Sequence, residues 1–333
     1  IRGLKRVVLS EAQFVRIYPD TSQEITVHKN RGMSFGGIIA AGSTEYFGSN
    51  FTFEYDAFKL NLIECDSMRF RVWPFDNGQR QVRLVSVLED VKGDIRIDDP
   101  MNKSGYLSRD FPDYPKLSVT KETYVFYDKQ SIQGGVYDRS NFYFLVAPFE
   151  MDSLDNFNRD YFALDGVFKS AEIFPEFAEQ LKVQDDYSLG FVRKAEGEGV
   201  GIYSDNGNFK NTIRLSAQGL QGDGKIEFLT STAYSDLFTF YPDSTSGIAN
   251  EYANVTQKDP LEVPDVVGEN VYVRFIPKEQ VLQAASVKEP LRFIGEEATL
   301  KGRLYLTPEQ GVTARGNMYF GNGIFSARRF YYK

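Results

Sequence analysis

Histidine, cysteine and tryptophan each occur once in this chain of 333 residues. The lone cysteine, Cys65, rules out an intrachain disulfide, which fits a cytosol or a bacterial envelope better than a small disulfide-stapled secreted domain. With His28 as the only imidazole, a multi-histidine zinc site is excluded and any serine or cysteine nucleophile has one base to draw on. Its place at the end of a strand, beside Lys29-Asn30-Arg31, reads as a surface histidine. Long apolar runs are missing too, so no membrane-spanning helix is expected. Positive charge is in deficit, 38 Lys and Arg against 46 Asp and Glu, and the net charge of -8 argues against nucleic acid as a partner. The adjacent Arg328 and Arg329 read as solvated residues at a strand end. Helix signals are scarce: Pro175 followed by EFAEQLKV, with Phe177 and Leu181 on one side, and Pro277 followed by KEQVLQAASV predict two short helices. No glycine-rich phosphate loop opens a helix, and no cofactor is expected.

What the chain does have is aromatic, alternating sequence. Apolar residues make up 42% of it, enough for a sizeable core, and 28 Phe with 20 Tyr favour strands. The stretch 213–241 states the pattern. Ile213 and Leu215, then Ile226 and Phe228, then Phe238 and Phe240 alternate with polar neighbours, and Gly219, Gly222 and Gly224 supply backbone freedom between them. Near the C-terminus the phrase returns, with Gly311, Gly316, Met318 and Phe320 in the places of Gly219, Gly224, Ile226 and Phe228. A second phrase recurs as FGGIIAAG from Phe35, LDGVFKSA from Leu164 and GNGIFSA from Gly321. These features predict an all-β fold, an irregular solenoid-like or extended β-sheet architecture with long loop insertions and one or two short helices.

Three segments are expected: a β-rich segment over 1–97, a second with a loop insertion over 98–211, and a glycine-punctuated repeat over 212–333. In the first, Phe51, Phe53 and Tyr55 share a face, and near Asp56-Ala57 the phase slips to Phe58, Leu60 and Leu62, predicting a bulge or corner. Met68, Phe70 and Val72 alternate, and Asp76-Asn77-Gly78 signals a tight hairpin. Periodicity vanishes over 98–120, where Pro100, Gly105, Pro112 and Pro115 gather, so this long loop is the first place to look for a contact surface. A second aperiodic stretch covers 242–267. The opening at Ile1 and the strand-like ending at Tyr331-Tyr332-Lys333 read as a processed protein or a portion of a longer one.

Chemistry is sparse. Cys65 follows an alternating strand and reads as a small buried hydrophobe. Asp98-Asp99 and Asp185-Asp186 point to opposite faces when extended, so neither is a ready acid and base couple, and a glycosidase mechanism would need carboxylates brought together by the fold. Asp205-Asn206-Gly207-Asn208 resembles the start of a calcium loop without its closing acid and reads as a hairpin turn. Tyr124, Phe126 and Tyr127, with Phe142, Tyr143 and Phe144, put aromatics on both strand faces, as in a central strand buried on both sides.

The segments NKSG and DYPKL within 102–117, VFYDKQSIQGGVYDRSNFYFLVAPF over 125–149 and DDYSLGF over 185–191 resemble parts of very large, repetitive, poorly characterised envelope proteins of the Bacteroides and Flavobacterium group. The final glycine-punctuated strands are also similar to the β-repeats of AsmA and TamB envelope proteins. The resemblance implies an exported protein of the periplasm, outer membrane or cell surface. It implies partners among other envelope proteins or the remainder of a longer chain, with glycan or lipid as ligands, and it defines no catalytic residue. Exported proteins of that group carry O-glycans at a motif of Asp, then Ser or Thr, then an apolar residue or Thr, which makes Ser67, Ser153 and Ser244, in Asp66-Ser67-Met68, Asp152-Ser153-Leu154 and Asp243-Ser244-Thr245, candidate O-glycosylation sites. Three functions follow as expectations: a noncatalytic structural or binding portion of an envelope protein, a carbohydrate-active enzyme or carbohydrate-binding module, and a lipid-conduit segment.

Overall fold

The computed structural model describes residues 1–76, 78–107, 110–156, 159–255, 264–295 and 297–331. It is an all-β protein, an extended antiparallel sheet architecture in which the helical elements among the described residues are single 3-10 turns. The chain divides into two compact units, one of residues 1–127, 142–168 and 177–191 and one of residues 128–141, 169–176 and 192–333. The expected boundary at 97/98 falls just after a strand, and that at 211/212 falls inside one.

The first unit is built from β1 (Val7–Ser10), β2 (Val15–Pro19), β3 (Thr26–Val27), β4 (Met33–Ala41), β5 (Thr44–Glu54), β6 (Lys59–Val72), β7 (Val82–Arg83), β8 (Leu88–Arg96), β9 (Lys116–Val119), β10 (Thr123–Phe126), β11 (Phe142–Val146), β12 (Phe149–Met151), β13 (Leu164–Ser170) and β14 (Phe177–Val183). Pairing runs β1, β2, β4, β5, β6, β8, after which β8 takes β9 at one end and β10 at the other. Alternation sets the core: Val15 and Ile17 of β2, Ile39 and Ala41 of β4, Tyr46 and Phe51 of β5 and Met68 and Phe70 of β6 are buried on one face.

Several expectations change here. The phase slip after Tyr55 is a chain reversal: residues 55–58 form the turn between β5 and β6, and Phe58 sits in the left-handed region at φ 51°. Phe53 and Leu60 then face each other across the hairpin, so the apolar phase continues on the same side. The tight hairpin at Asp76 is not formed. β6 returns as β7 only with Arg71 opposite Arg83, which leaves a wide connection, and Asp76 accepts the Gly78 N–H at 3.1 Å as a local turn; Asn77 lies outside the described residues. The segment after Pro175 is strand β14, because its burial alternates with a period of two. On β10 and β11, Val125, Phe142 and Phe144 are buried while Tyr124, Phe126 and Tyr143 are half-buried and cluster on the other face, the first two stacked at 5.5 Å. The two-sided burial expected there is therefore one-sided.

The second unit is a meander: β15 (Leu189–Ile202) leads in, and then come β16 (Gly207–Ser216), β17 (Gly219–Phe228), β18 (Ser231–Phe240), β19 (Thr245–Asn254), β20 (Val266–Ile276), β21 (Val281–Ser286), β22 (Leu291–Phe293), β23 (Ala298–Thr307), β24 (Gly311–Phe320) and β25 (Gly323–Tyr331). The repeat read from sequence is structural. β17 and β24 both open on a left-handed glycine, Gly219 at φ 91° and Gly311 at φ 60°. Each also breaks register with the following strand at the matching glycine, Gly224 at φ 145° and Gly316 at φ 135°. A Cβ on Gly224 would lie 2.0 Å from the Lys210 carbonyl oxygen, so the bulge excludes a side chain. The helix expected after Pro277 is one 3-10 turn, Pro277–Glu279, followed by β21. Of the aperiodic stretch 242–267, residues 256–263 lie outside the described residues, and 245–254 form β19.

Buried polar anchors complete the second unit. The Tyr137 hydroxyl donates to the Phe240 carbonyl at 2.8 Å and accepts the Leu220 N–H at 3.0 Å, tying segment 128–141 to β17 and β18, and burial pushes its pKa up to about 12. Tyr137→Phe leaves both backbone groups unmet and is expected to cost about 1–3 kcal/mol in chemical denaturation, with little change in fold by circular dichroism. In the first unit burial pushes the Cys65 thiol up to about 12. At pH 8 the native protein is therefore expected to leave a disulfide-exchange reagent unconsumed, and the unfolded chain to react with one equivalent.

Candidate functional site

The same alternation that buries one face of β2, β4, β5 and β6 presents the other. Arg16 and Tyr18 flank the buried Ile17 of β2, Ile38 and Ala40 flank Ile39 of β4, Glu45 and Phe47 lie on either side of Tyr46, and Arg69 and Arg71 lie among Met68, Phe70 and Val72. Register lines them up. Arg16 stands opposite Ala40, Ala40 opposite Glu45 and Glu45 opposite Arg69, and the next row runs Tyr18, Ile38, Phe47, Ser67. The wide β6–β7 connection adds Trp73, Arg80 and Gln81, β7 adds Arg83, and these residues, Ser67 apart, wall a concavity of about 850 Å3.

Its chemistry is that of guanidinium groups. Among the described residues five arginines line it, against the carboxylates of Glu45 and Asp155 and with no lysine, a formal excess of three positive charges in a chain of net charge -8. Glu45 holds two of them, one on each oxygen: Arg71 on Oε1 and Arg83 on Oε2 at 2.9 Å. Arg16 reaches outward to Glu11 at 3.0 Å, and the Arg69 guanidinium lies 4.6 Å from the centre of the Phe47 ring. The Nε–H groups of Arg16 and Arg69 are shielded from water without an acceptor among the described residues. Phe14 and Trp73, respectively 52% and 45% exposed, are the large apolar side chains that the concavity leaves open to solvent.

Asp155 is brought in by a close backbone approach. The turn between β4 and β5 passes over residues 154 and 155; Ser43 N–H donates to the Leu154 carbonyl at 2.6 Å, and a Cβ on Gly42, at φ 58°, would lie 2.4 Å from that carbonyl. Burial raises the Asp155 pKa. Asp155 is also shared with a smaller concavity of about 460 Å3 walled by Phe111, Pro112, Asp113 and Tyr114, which precede β9, the strand that takes up the end of the expected 98–120 loop, so part of that segment borders the site. The loop itself is held by Asp98, whose buried carboxylate accepts from Gln13 Nε2 and Asn102 Nδ2, both at 3.0 Å.

The residues singled out from sequence fall elsewhere or in structural roles. His28 is exposed just after β3 and its Nε2 lies 2.7 Å from Oγ of Ser34, a half-buried residue of β4, but no carboxylate among the described residues hydrogen-bonds the ring. Asp99 caps a 3-10 turn, Asp186 accepts from Ser188, and 203–206 is the turn between β15 and β16. Among the described residues no group of three His, Cys, Asp or Glu is placed to hold a metal ion. Ser67 lies half-buried in the middle of β6 on the arginine face, Ser153 borders the smaller concavity, and Ser244 is 3% exposed with its hydroxyl on Asp243. The arginine site itself was missed. Its one local trace is the spacing of Arg69 and Arg71 opposite the apolar phase of Met68, Phe70 and Val72, followed by Arg80 and Arg83.

Comparison with known proteins finds no matching family model, no matching curated protein and no matching solved structure.

Burial makes the Asp155 carboxyl take up its proton at a higher pH than an ordinary aspartate, so on acidification the groove becomes more positive before the exposed aspartates titrate. Sulfate keeps both of its charges as the pH falls, and its affinity is expected to strengthen as Asp155 takes up its proton, measured by isothermal titration. Asp155→Asn is expected to bind more tightly at pH 7 and to lose part of that pH dependence.

Proposed function

We propose that this chain is a noncatalytic binding portion of an exported envelope protein, with the arginine groove of the first unit as its binding surface for anionic groups. The observation that carries the reading is the gathering of five guanidiniums from β2, β6, β7 and the connection before β7 onto one concave face of an otherwise acidic protein. Guanidiniums are always charged and offer a planar fork of donors that fits carboxylate, sulfate or phosphate in a bidentate manner. Bound to a concave, partly desolvated wall they interact more strongly with an anion than on an open surface.

The noncatalytic half of the reading rests on how the acids are used. Glu45 is committed to two arginines, which leaves Asp155 as the other carboxylate among the described residues of the groove, with Asp113 lining only the smaller concavity beside it, whereas glycoside hydrolysis needs two acids facing across the bond. A lipid conduit would draw on continuous apolar surface, and this concavity is walled by arginines.

The test is ligand-linked stability. Citrate is expected to raise the melting temperature of the chain by about 2–4 °C for each ~1 kcal/mol of binding, and Arg69→Gln combined with Arg80→Gln is expected to abolish most of the rise. An unchanged melting temperature in millimolar citrate at low salt, or an equal rise in the double variant, would overturn the assignment of the groove.

A further inference from the structure

Resting on that reading of the groove, we infer that its ligand is an acidic saccharide, a short chain of sugar units bearing carboxylates. Three observations select this chemistry from among anions. First, the concavity of about 850 Å3 falls within the range of sites for organic ligands, roughly 300–1,000 Å3, and is far larger than an inorganic oxyanion fills. Second, the open rings of Phe14 and Trp73 sit on the same wall as the arginines. A compact anion makes no use of an exposed indole, whereas the C–H faces of a pyranose stack on it. Third, the wall carries neutral hydrogen-bonding groups suited to hydroxyls: Tyr18, and Gln81, whose Nε2 donates to Ser43 Oγ at 2.7 Å and leaves its carbonyl oxygen to accept.

Charge sets the length of ligand. The formal excess of three positive charges among the lining residues balances about as many carboxylates, and the net charge of -8 on the whole chain repels a long polyanion. Arg69 and Arg80 are the arginines for which no carboxylate partner occurs among the described residues, and they are the groups offered to the ligand acid. Arg71 and Arg83 remain tied to Glu45, which fixes the geometry of the wall. A nucleic acid strand also combines phosphates with stacking bases, and the net charge weighs against it.

The experiment matches charge and varies the sugar. Isothermal titration at pH 7 and low salt compares trigalacturonate, citrate, the neutral trisaccharide maltotriose and oligothymidylate, while the emission of Trp73, the single tryptophan of the chain, reports on the wall. Trigalacturonate is expected to bind about 3- to 10-fold more tightly than citrate and to change Trp73 emission, and maltotriose to bind weakly or not at all. Trp73→Ala and, separately, Phe14→Ala are expected to lower trigalacturonate affinity more than citrate affinity and so to remove the advantage over citrate. Arg69→Gln with Arg80→Gln is expected to lower both affinities about tenfold or more. Citrate binding with no advantage for trigalacturonate and no emission change overturns the saccharide and leaves the anion groove standing, as does tighter binding of oligothymidylate. Failure of every anion to bind overturns both.

Discussion

A strand in a sheet with one buried face has no choice about its other face, and that constraint runs through both units. Once Val15, Ile17, Tyr46, Met68 and Phe70 are committed to the core, the residues between them must face away from it, whatever their chemistry. Register then decides which of them meet. Arg16, Ala40, Glu45 and Arg69 form one row because β4 pairs with β2 on one side and β5 on the other, and a slip of one residue in any pairing would send the arginines into the core. The groove is thus held by the hydrophobic packing on the opposite side of the same strands rather than by its own contacts.

Those contacts are modest. Arg71 and Arg83 are roughly half-exposed where they meet Glu45, so each pair adds little to stability, within about 1 kcal/mol. Their role is geometric: a single carboxylate bridging β6 and β7 holds two guanidiniums in fixed relation while leaving the groove with positive charge to spare. Gly42 does the comparable work for the backbone, since only a residue without a Cβ lets the β4–β5 turn lie against residues 154 and 155.

How much of this could be read from the sequence follows from how local each signal is. The alternation over 213–241 is local, and it forms three strands as expected; the matching glycines at 224 and 316 mark matching bulges because the demand for positive φ at a register break is local too. The reading of 177–183 as helix failed for a simple reason. Phe177 and Leu181 are four apart, a spacing that shares a face in a strand as well as in a helix, and the sheet decided between them. The slip between Tyr55 and Phe58 was ambiguous in the same way, because a bulge and a reversing turn both shift the phase. The arginine groove is the least local feature of all. Its members span residues 14 to 155, and nothing but the pairing order brings Arg16 and Arg69 into one row.

In the second unit the burial of the strands fades along the meander: β23 keeps Leu300, Leu304 and Leu306 in the core, β24 keeps Val312 and Ala314, and β25 buries no residue while pairing, among the described residues, with β24 alone. Each strand here leans chiefly on its neighbours in sequence, so resistance to pulling is distributed unevenly. Under tension applied at β25, its ladder opens one hydrogen bond at a time with almost no apolar surface newly exposed to water, and the load rises as the break passes β24 and reaches β23. Among the described residues the meander therefore softens toward β25, and force applied there is absorbed before it threatens the strands that carry the core.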